Sequence, residues 1–204
     1  MEFEQVVRRR QMTRSFADDA IDEEVLAGLF DLALRAPSAG RSEGVEWLVV
    51  QGEETARFWR AAAEESFLRE PGARAGLLRA PVIAVPVADP GAYERRYAEE
   101  DKRAGSGLGG VPAAEWPVPY WLVDAAFSVM NLLLAAEAAS LGALFFRLHR
   151  PPEVLLGEFD IPPGHELIGA VALGKPDPSD PDPTGVVKRR PGRPRSERVH
   201  LGSW

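Results

Sequence analysis

Cysteine is absent from the 204-residue chain. This absence excludes disulfide bonds, thiolate nucleophiles, iron–sulfur clusters and cysteine-based zinc sites. The chain also has no excess of positive charge, because its 31 acidic residues outnumber its 24 lysines and arginines and give a formal net charge of −7. A protein whose main partner is nucleic acid or an anionic membrane needs a cationic face, so the composition argues against both partners. We expect no metal site.

The sequence also lacks a recognisable signal peptide and a clean membrane span. Residues 1–16 are charged throughout, with no apolar stretch before a small-residue cleavage site. The most apolar segment, residues 120–142, is predicted to be a buried helix because polar side chains interrupt it. These side chains are Asp124, Ser128, Asn131 and Glu137. We expect a cytoplasmic protein without membrane contacts, folded as one domain over residues 1–204.

Hydrophobic periodicity predicts a succession of helices and strands. We expect helices over 2–10, 53–79 and 120–141, and another that starts at the acidic cap Asp22 and ends at Pro37. One face of that helix is expected to carry Val25, Leu29, Leu32 and Ala36. VEWLVV, APVIAVPV, GALFF and ELIGAVALG are predicted strands, and PPEVLLGEFDIPPG is a predicted short helix with a proline turn.

Two stretches show no period. Residues 89–119 mix charge, glycine and proline, and we predict an irregular, mobile excursion near a site. Residues 175–204 are rich in proline and charge and poor in apolar side chains, which is typical of an extended arm.

The segment GRSEG at 40–44 matches the G-x-S-x-G pattern that presents a nucleophilic serine in many hydrolases. That arrangement needs a strand before the serine and a helix after it. Here a predicted helix enters the turn and a predicted strand leaves it, so we interpret Ser42 as a turn residue.

Two further motifs have weak support. GSGLGG at 105–110 satisfies the dinucleotide-binding pattern, but its flanks look like loops rather than a strand and a helix, which favours a flexible linker. KRRPGRPRS at 188–196 resembles an AT-hook, whose arginines lie in the minor groove of DNA. These arginines could equally bind a cofactor phosphate or keep a tail solvated. Nucleic acid is an unlikely partner, given the acidic composition.

Four arginines crowd the N-terminal region, namely Arg8, Arg9, Arg10 and Arg14. They cannot all share one exposed face of a short helix without repulsion, unless an anion draws some of them together. A solvated basic helix end is the simpler alternative.

Several segments, taken in order, resemble the FMN-dependent nitroreductase family. RQMTRSF at 10–16 is similar to the family's opening R-R-S-x-R-x-F, and APSAGRSEGVEWLVV at 36–50 to its A-P-S-A-G-N-x-Q-P-W segment and strand. Residues 124–146 resemble the family's long central helix and following strand, and FDIPPGHELIGAVALGKP at 159–176 resembles its late I-P-e-g segment. The tail from 189 resembles the arginine and proline segment that closes many members.

The resemblance implies an α+β three-layer fold with a central mixed, largely antiparallel sheet flanked by helices. It implies a homodimer that binds two FMN molecules at its interface, with a C-terminal extension reaching over the partner subunit. The implied activity is ping-pong: NADH or NADPH reduces the FMN and leaves, and a nitroaromatic, quinone or related small acceptor is then reduced. Flavin N5 carries the hydride, so no catalytic side chain is implied.

The family's cofactor site carries over to matching positions. Arg10 is expected at the FMN phosphate, and Arg14 matches the basic residue at the flavin O2 edge. Small turn residues should allow close approach of the isoalloxazine ring; they are Pro37, Ser38, Ala39 and Gly40. Backbone N–H groups after the late strand should address flavin N5 and O4, from Phe146, Arg147 and Leu148. Arg190 and Arg193 are candidates for a second phosphate clamp.

Some motif positions depart from the family pattern. Gln11 replaces the second arginine, Met12 replaces the phosphate-binding serine, and Glu43 replaces a glutamine. Arg41 occupies the position of an asparagine that contacts the flavin pyrimidine, and because arginine offers donors only, that pairing cannot be reproduced unchanged. Arg41 could turn toward O4 or O2, pair with Glu43, or reach for an acidic substrate. Gln11, Met12 and Arg41 stay in the predicted cofactor site.

We therefore expect an FMN-dependent oxidoreductase that uses NAD(P)H. The alternative is a relative with a lost or repurposed flavin site that serves as a binding or regulatory module, with its tail on DNA. The aromatic residues of 89–119 could cover the flavin as a lid and stack acceptors, or pack at a dimer interface.

Overall fold

The computed structural model describes residues 2–69, 75–180 and 192–203. Its strands are β1 (Val45–Gln51), β2 (Val82–Ala88), β3 (Gly142–Phe146), β4 (Glu166–Leu167) and β5 (Ala170–Gly174). Its helices are α1 (Phe3–Arg9), α2 (Glu23–Ala33), α3 (Glu54–Ala62), α4 (Glu65–Arg69), α5 (Ala75–Leu78), α6 (Pro90–Ala98), α7 (Glu100–Ser106), α8 (Tyr120–Ala138) and α9 (Pro152–Glu158).

The strands form one sheet in the order β1-β2-β5-β3, and β4 pairs with the end of β2. These strand pairs are antiparallel. One isolated parallel bridge joins Met12 to Ala143 and makes the sheet mixed. The predicted mixed, largely antiparallel sheet is therefore confirmed.

Helices cover both faces of the sheet, and β2 is therefore buried along its whole length. Successive side chains of a strand point to opposite faces, and here Val82 and Ala84 join a core with α2 and α8. Ile83, Val85 and Val87 join a second core with α3 and α9. The result is the predicted α+β arrangement of helix, sheet and helix layers.

Helix α2 begins as the sequence indicates but buries a different face. The Asp22 carboxylate accepts hydrogen bonds from the backbone N–H groups of Glu24 and Val25 and caps the helix. The buried residues are Leu26, Leu29 and Ala33. Leu29 confirms one position of the predicted face, but the prediction was wrong for Val25 and Leu32, which are 42% and 53% exposed. It was also wrong for Ala36, because the helix ends three residues earlier, at Ala33.

Helix α8 is the central helix of the first core, the one that it shares with α2. By length and composition alone it could cross a membrane, with a mean hydropathy of 1.4, so the prediction that its polar side chains exclude a span was wrong. Half of the apolar window is buried within the fold. Its Ser128 hydroxyl donates to the carbonyl of Ala33 and accepts from Trp47 Nε1, so a polar side chain ties α8 to α2 and β1.

The prediction that residues 89–119 are irregular was wrong. The segment contains α6, α7 and a short 3₁₀ turn at Ala113–Glu115. Tyr93 and Trp116 are buried in an aromatic cluster with Trp121, at centroid distances of 6.2 Å. Within α6, Tyr93 and Tyr97 stand at helical spacing, but the charged residues between them hid the period. The GSGLGG motif begins in the last turn of α7, and Gly107 is a left-handed cap. The prediction of a loop-like flank before the motif was therefore wrong.

Other boundaries differ in smaller ways. The predicted helix over 53–79 contains the three short helices α3, α4 and α5 in its described part. ELIGAVALG splits into β4 and β5, because Gly169 has a φ of 141° and a side chain there would meet the carbonyl of Phe146. In the described part of the arm, residues 192–203 are exposed.

Candidate functional site

The segment Pro37–Arg41 links the end of α2 to β1 through a tight 3₁₀ turn. Gly40 has a φ of 65°, and an added Cβ would lie 2.7 Å from the Tyr97 ring, so both conformation and space require glycine. Arg41 and Glu43 also have positive φ values, 57° and 52°. The chain is therefore sharply bent at 40–43, where Arg41 and Glu43 have a left-handed backbone conformation that non-glycine residues rarely adopt.

Hydrogen bonds within the turn hold its ends together. The Ser42 hydroxyl donates to the carbonyl of Ala39 at 2.7 Å, and the Glu43 N–H donates to the Ser38 hydroxyl at 3.1 Å. Ser42 is thus the turn residue that the sequence predicts. Arg41 pairs with Glu43 at 3.4 Å, one of the alternatives left open above, and the Arg41 side chain is 88% exposed.

A buried carboxylate from α8 binds the turn from one side. Asp124 is 4% exposed, and its Oδ2 accepts the Ala39 N–H at 2.7 Å. The Tyr93 hydroxyl donates to the same oxygen at 2.7 Å. Burial, followed by this hydrogen bond, raises the pKa of Tyr93, so the phenol stays protonated and acts as a donor.

Arg96 of α6 binds the turn from another direction. Its Nε donates to the carbonyl of Gly40 at 2.8 Å. Its two terminal nitrogens each donate to a carboxylate oxygen of Asp101 at 2.7 Å, and one of them also reaches Glu99 at 2.9 Å. The hydrogen bond with Asp101 raises the pKa of Arg96 and lowers the pKa of Asp101.

A cavity of about 550 Å³ opens beside this turn. Asp124 and Ser128 of α8 contribute to its wall, and the chain from Ala33 to Ser38 forms another side. Arg41 and Glu43 also line it. Of the turn residues predicted for the cofactor, Pro37, Ser38 and Arg41 therefore face open space next to a buried carboxylate, whereas Ala39 and Gly40 do not line the cavity.

The N-terminal arginines divide into paired and unpaired groups. Arg8 pairs with Glu4 at 2.6 Å and Arg9 with Glu137 at 3.4 Å. Arg14 donates to the carbonyl of Met12 at 3.3 Å. Arg10 differs, because its Nη1 is buried and has no hydrogen-bond partner among the described residues. An unsatisfied buried donor is costly, so an anion at this point would stabilise the site.

The remaining predicted residues of the N-terminal segment have different surroundings. Met12 packs against both hydrophobic cores, and its backbone forms the bridge to Ala143. Gln11 is exposed and lines a second hollow of about 590 Å³. That hollow also contains three carboxylates, from Glu137, Asp177 and Asp180. Met12 thus contributes packing where a serine would contribute a hydroxyl.

The later predicted residues lie at the end of β3 and in the arm. Phe146 stacks on Trp59 at a centroid distance of 5.3 Å, and Leu148 packs against the same core. Arg147 is exposed after the strand. Arg193 pairs with Glu197 at 3.2 Å within the arm. Arg190 lies outside the described residues.

The structure brings the turn residues together but places the N-terminal arginines elsewhere on the chain. The turn is attached to α8 at Asp124, whereas Arg9 is attached to the same helix at Glu137. Thirteen residues of α-helix separate these two points, which corresponds to about 20 Å. Arg10 and the turn are therefore held at opposite ends of α8.

The sequence did not predict Arg96 and Asp124 as site residues, and it predicted Tyr93 only as one of the aromatic residues of a lid. A carboxylate in an otherwise apolar helix was a usable signal, since a buried Asp needs hydrogen-bond partners. Arg96 gave no comparable signal, because it stands among other charged residues in a segment without an evident period.

Comparison with known proteins agrees with this fold and with these motifs. The profile of the nitroreductase family matches residues 7–107, which include the N-terminal arginines and the turn. The chain belongs to the nitroreductase family. No curated protein sequence matches it.

Solved structures show the same fold at low sequence identity. A nitroreductase family protein from Clostridium novyi NT is 23% identical, with a TM-score of 0.66 over 89% of this chain and 88% of that one. A protein named as a nitroreductase, in complex with FMN, from Desulfovibrio desulfuricans is 20% identical, with a TM-score of 0.70 over 100% and 98%. A protein named NADH dehydrogenase/NAD(P)H nitroreductase from Parabacteroides distasonis ATCC 8503 is 17% identical, with a TM-score of 0.66 over 99% and 98%.

Proposed function

We propose that this protein is an FMN-dependent oxidoreductase. In this proposal NADH or NADPH supplies the hydride, and a nitroaromatic, quinone or related small acceptor receives it in a ping-pong reaction. Membership of the nitroreductase family supports the reaction class, a relative in complex with FMN supports the cofactor, and a relative named for NAD(P)H supports the reductant.

The observation that carries the proposal is the buried Nη1 of Arg10, which has no hydrogen-bond partner in the part of the chain that the structure describes. The neighbouring Arg8 and Arg9 have carboxylate partners, so the unsatisfied donor belongs to the arginine that matches the family's phosphate ligand. A phosphate oxygen would accept a charge-assisted hydrogen bond there. The donor set at Arg10 therefore fits the FMN phosphate.

The chain's other residues would bind and orient the flavin ring. The turn at Pro37–Gly40 offers small side chains and a fixed backbone, and Arg14 offers positive charge. Bound FMN supplies the hydride chemistry, while the protein supplies position and electrostatics. Arg41 is held near Glu43, so we assign the close contacts of the turn to its backbone rather than to the Arg41 side chain.

We further propose that the working unit is a homodimer with two flavin sites at its interface. Arg10 and the turn lie at opposite ends of α8, so a second copy could bring the turn of one subunit to the Arg10 of the other. Large apolar side chains are also exposed on α8 and on the two helices that pack against it, α1 and α2. They include Phe3, Val7, Leu32, Phe127 and Met130. Burial of such side chains is a usual source of association energy.

The phosphate assignment is tested by FMN affinity, measured from quenching of flavin fluorescence. Arg10→Ala should weaken binding by about 10- to 100-fold, because a charge-assisted bond to a buried anion is lost. Arg9→Ala is the matched control, since it removes one neighbouring positive charge that already has a partner. Equal affinity in the two variants would contradict the assignment.

The second candidate is a flavin-free binding or regulatory module. The packing of Met12 in the core favours it, because the hydroxyl of the usual serine has no counterpart at that position. Retention of FMN after desalting would exclude this candidate, and failure to retain it would support it.

A further inference from the structure

We propose that Arg96 and Asp124 are positioning residues that hold the Pro37–Arg41 turn in the conformation that receives the flavin. We call these two side chains and their hydrogen bonds to the turn the clamp. Helix α6 supports both side chains of the clamp. The proposal rests on the FMN-dependent function proposed above. It concerns two residues that lie outside the sequence motifs of the site.

The two hydrogen bonds act on neighbouring parts of the backbone. Asp124 accepts the N–H of Ala39, and Arg96 donates to the C=O of Gly40. The φ and ψ angles of both residues lie between these two groups, so holding the groups restricts the four rotations. The left-handed conformation of Gly40 is thereby set by contacts from outside the turn.

Helix α6 supports the turn through three side chains of one face, two of which contact the turn directly and one of which, Tyr93, acts through Asp124. Residues three and four apart on a helix are neighbours, and Tyr93, Arg96 and Tyr97 have this spacing. The Tyr93 hydroxyl donates to the oxygen of Asp124 that binds Ala39. Tyr97 packs its ring against Gly40. One helix therefore supports the carboxylate, the carbonyl and the glycine of the turn together.

Arg96 is itself held in place, as a positioning residue needs to be. Asp101 binds both of its terminal nitrogens, which leaves Nε for the Gly40 carbonyl, and the side chain is 20% exposed. The adjacent Arg95 has a different role, because it pairs with Asp89 and is 71% exposed. Arg95 is thus a matched control of the same charge on the same helix.

The turn needs outside support because its own residues do not favour its conformation. Arg41 and Glu43 both have left-handed φ values, which non-glycine residues adopt rarely. The ion pair between their side chains is exposed and contributes little. Without the two bonds from Asp124 and Arg96, we expect the turn to sample other conformations.

Two measurements test the clamp on the full chain. The first is amide hydrogen exchange of the peptide covering residues 37–44 in flavin-free protein, read by mass spectrometry. Arg96→Ala and Asp124→Ala should each accelerate exchange there by about tenfold or more, because the local structure opens more readily. Arg95→Ala should stay within about twofold of the unaltered chain. Asp124→Asn should also stay close to it, because an amide oxygen still accepts from Ala39 and Tyr93.

The second measurement is FMN affinity for the same variants. Arg96→Ala and Asp124→Ala should weaken binding by about tenfold, since a turn that is less well positioned loses binding energy to ordering. Rescue of affinity in Asp124→Asn would identify hydrogen-bond acceptance, rather than charge, as the role of Asp124. Arg96 is not part of the sheet core, so its variant keeps the test valid if Asp124→Ala fails to fold.

The outcomes separate the two proposals. If the unaltered chain binds FMN and Arg96→Ala binds it as tightly as Arg95→Ala does, the clamp is overturned and the proposed function stands. Equal exchange in these two variants would overturn the clamp as well. If the unaltered chain binds no FMN, the proposed function fails, and the flavin-positioning role assigned to the clamp fails with it.

Discussion

The carboxylate of Asp124 accepts the backbone N–H of Ala39 at 2.7 Å, although the two residues are 85 positions apart in the sequence. This bond joins the central helix α8 to the turn that the nitroreductase motif assigns to the flavin. Because Tyr93 donates to the same carboxylate oxygen, the bond also links the turn to α6.

Tyr93→Phe should lower the free energy of unfolding by about 1–2 kcal/mol. The substitution removes the hydroxyl that donates to Asp124 and leaves a buried carboxylate with one donor fewer. Chemical denaturation of the flavin-free chain measures the change. Tyr97→Phe is the matched control on the same helix, and we expect it to change stability by less than about 0.5 kcal/mol because the ring contact is kept. Similar losses in both variants would contradict the role of the Tyr93 hydroxyl.

The Tyr93 phenol should not ionise in the folded protein at pH values where an ordinary tyrosine does. Burial and the hydrogen bond to Asp124 raise its pKa above the usual 10.0. Its stabilising contribution is therefore fully present below pH 10.0, and it is lost as the pH rises through the higher folded value.

The absorbance of ionised tyrosine at alkaline pH checks this expectation. Folded unaltered protein and folded Tyr93→Phe should titrate with the same amplitude up to about pH 11. After unfolding, the variant should show two ionising tyrosines where the unaltered chain shows three. A smaller amplitude for the folded variant would mean that Tyr93 ionises normally.

Arg41→Gly should stabilise the chain by about 0.5–1 kcal/mol. Glycine adopts a positive φ without strain, and this gain exceeds its larger entropy in the unfolded state. Arg35→Gly is the control, because Arg35 is not among the positive-φ residues of the described chain. This substitution should lower the free energy of unfolding by a similar amount. Thermal melts of both variants provide the comparison, and destabilisation by Arg41→Gly would contradict the assignment of strain.

A flavin site shared between subunits predicts complementation between two defective chains. Arg10→Ala should lose the phosphate contact, and Gly40→Val should block the turn because its side chain would meet Tyr97. Dimers of one chain of each kind contain one intact composite site. Random pairing should therefore restore about one quarter of the flavin content of the unaltered protein after coexpression. Flavin content that stays at the level of the separate variants would show that each site lies within one chain.

Much of the fold was predictable from the sequence because its strands are short, apolar and bounded by turn residues. The buried face of α2 was not, since its apolar residues permit two adjacent faces and only packing against α8 selects Leu26, Leu29 and Ala33. The helices of 89–119 were hidden for a related reason. The two tyrosines of α6, Tyr93 and Tyr97, are separated by charged residues whose partners, such as Asp101 for Arg96, become evident only in three dimensions.

The candidate site was predictable where it depends on motif residues. Gly40 and Ser42 follow from the turn itself, and Arg10 follows from its place in the arginine motif. The clamp was not predictable, because its contacts join distant parts of the sequence. Arg96 lies 56 positions from Gly40, and Asp124 lies 85 positions from Ala39. No local pattern reports such a contact.

The central claim is that this chain is a flavoprotein reductase, and the visible absorbance spectrum tests it most directly. The purified protein would be incubated with FMN, desalted, and then mixed with NADH or NADPH without oxygen. We predict a retained flavin spectrum that bleaches with at least one of the two nicotinamides. A desalted protein without flavin absorbance, or a bound flavin that neither nicotinamide bleaches, would contradict the proposed function.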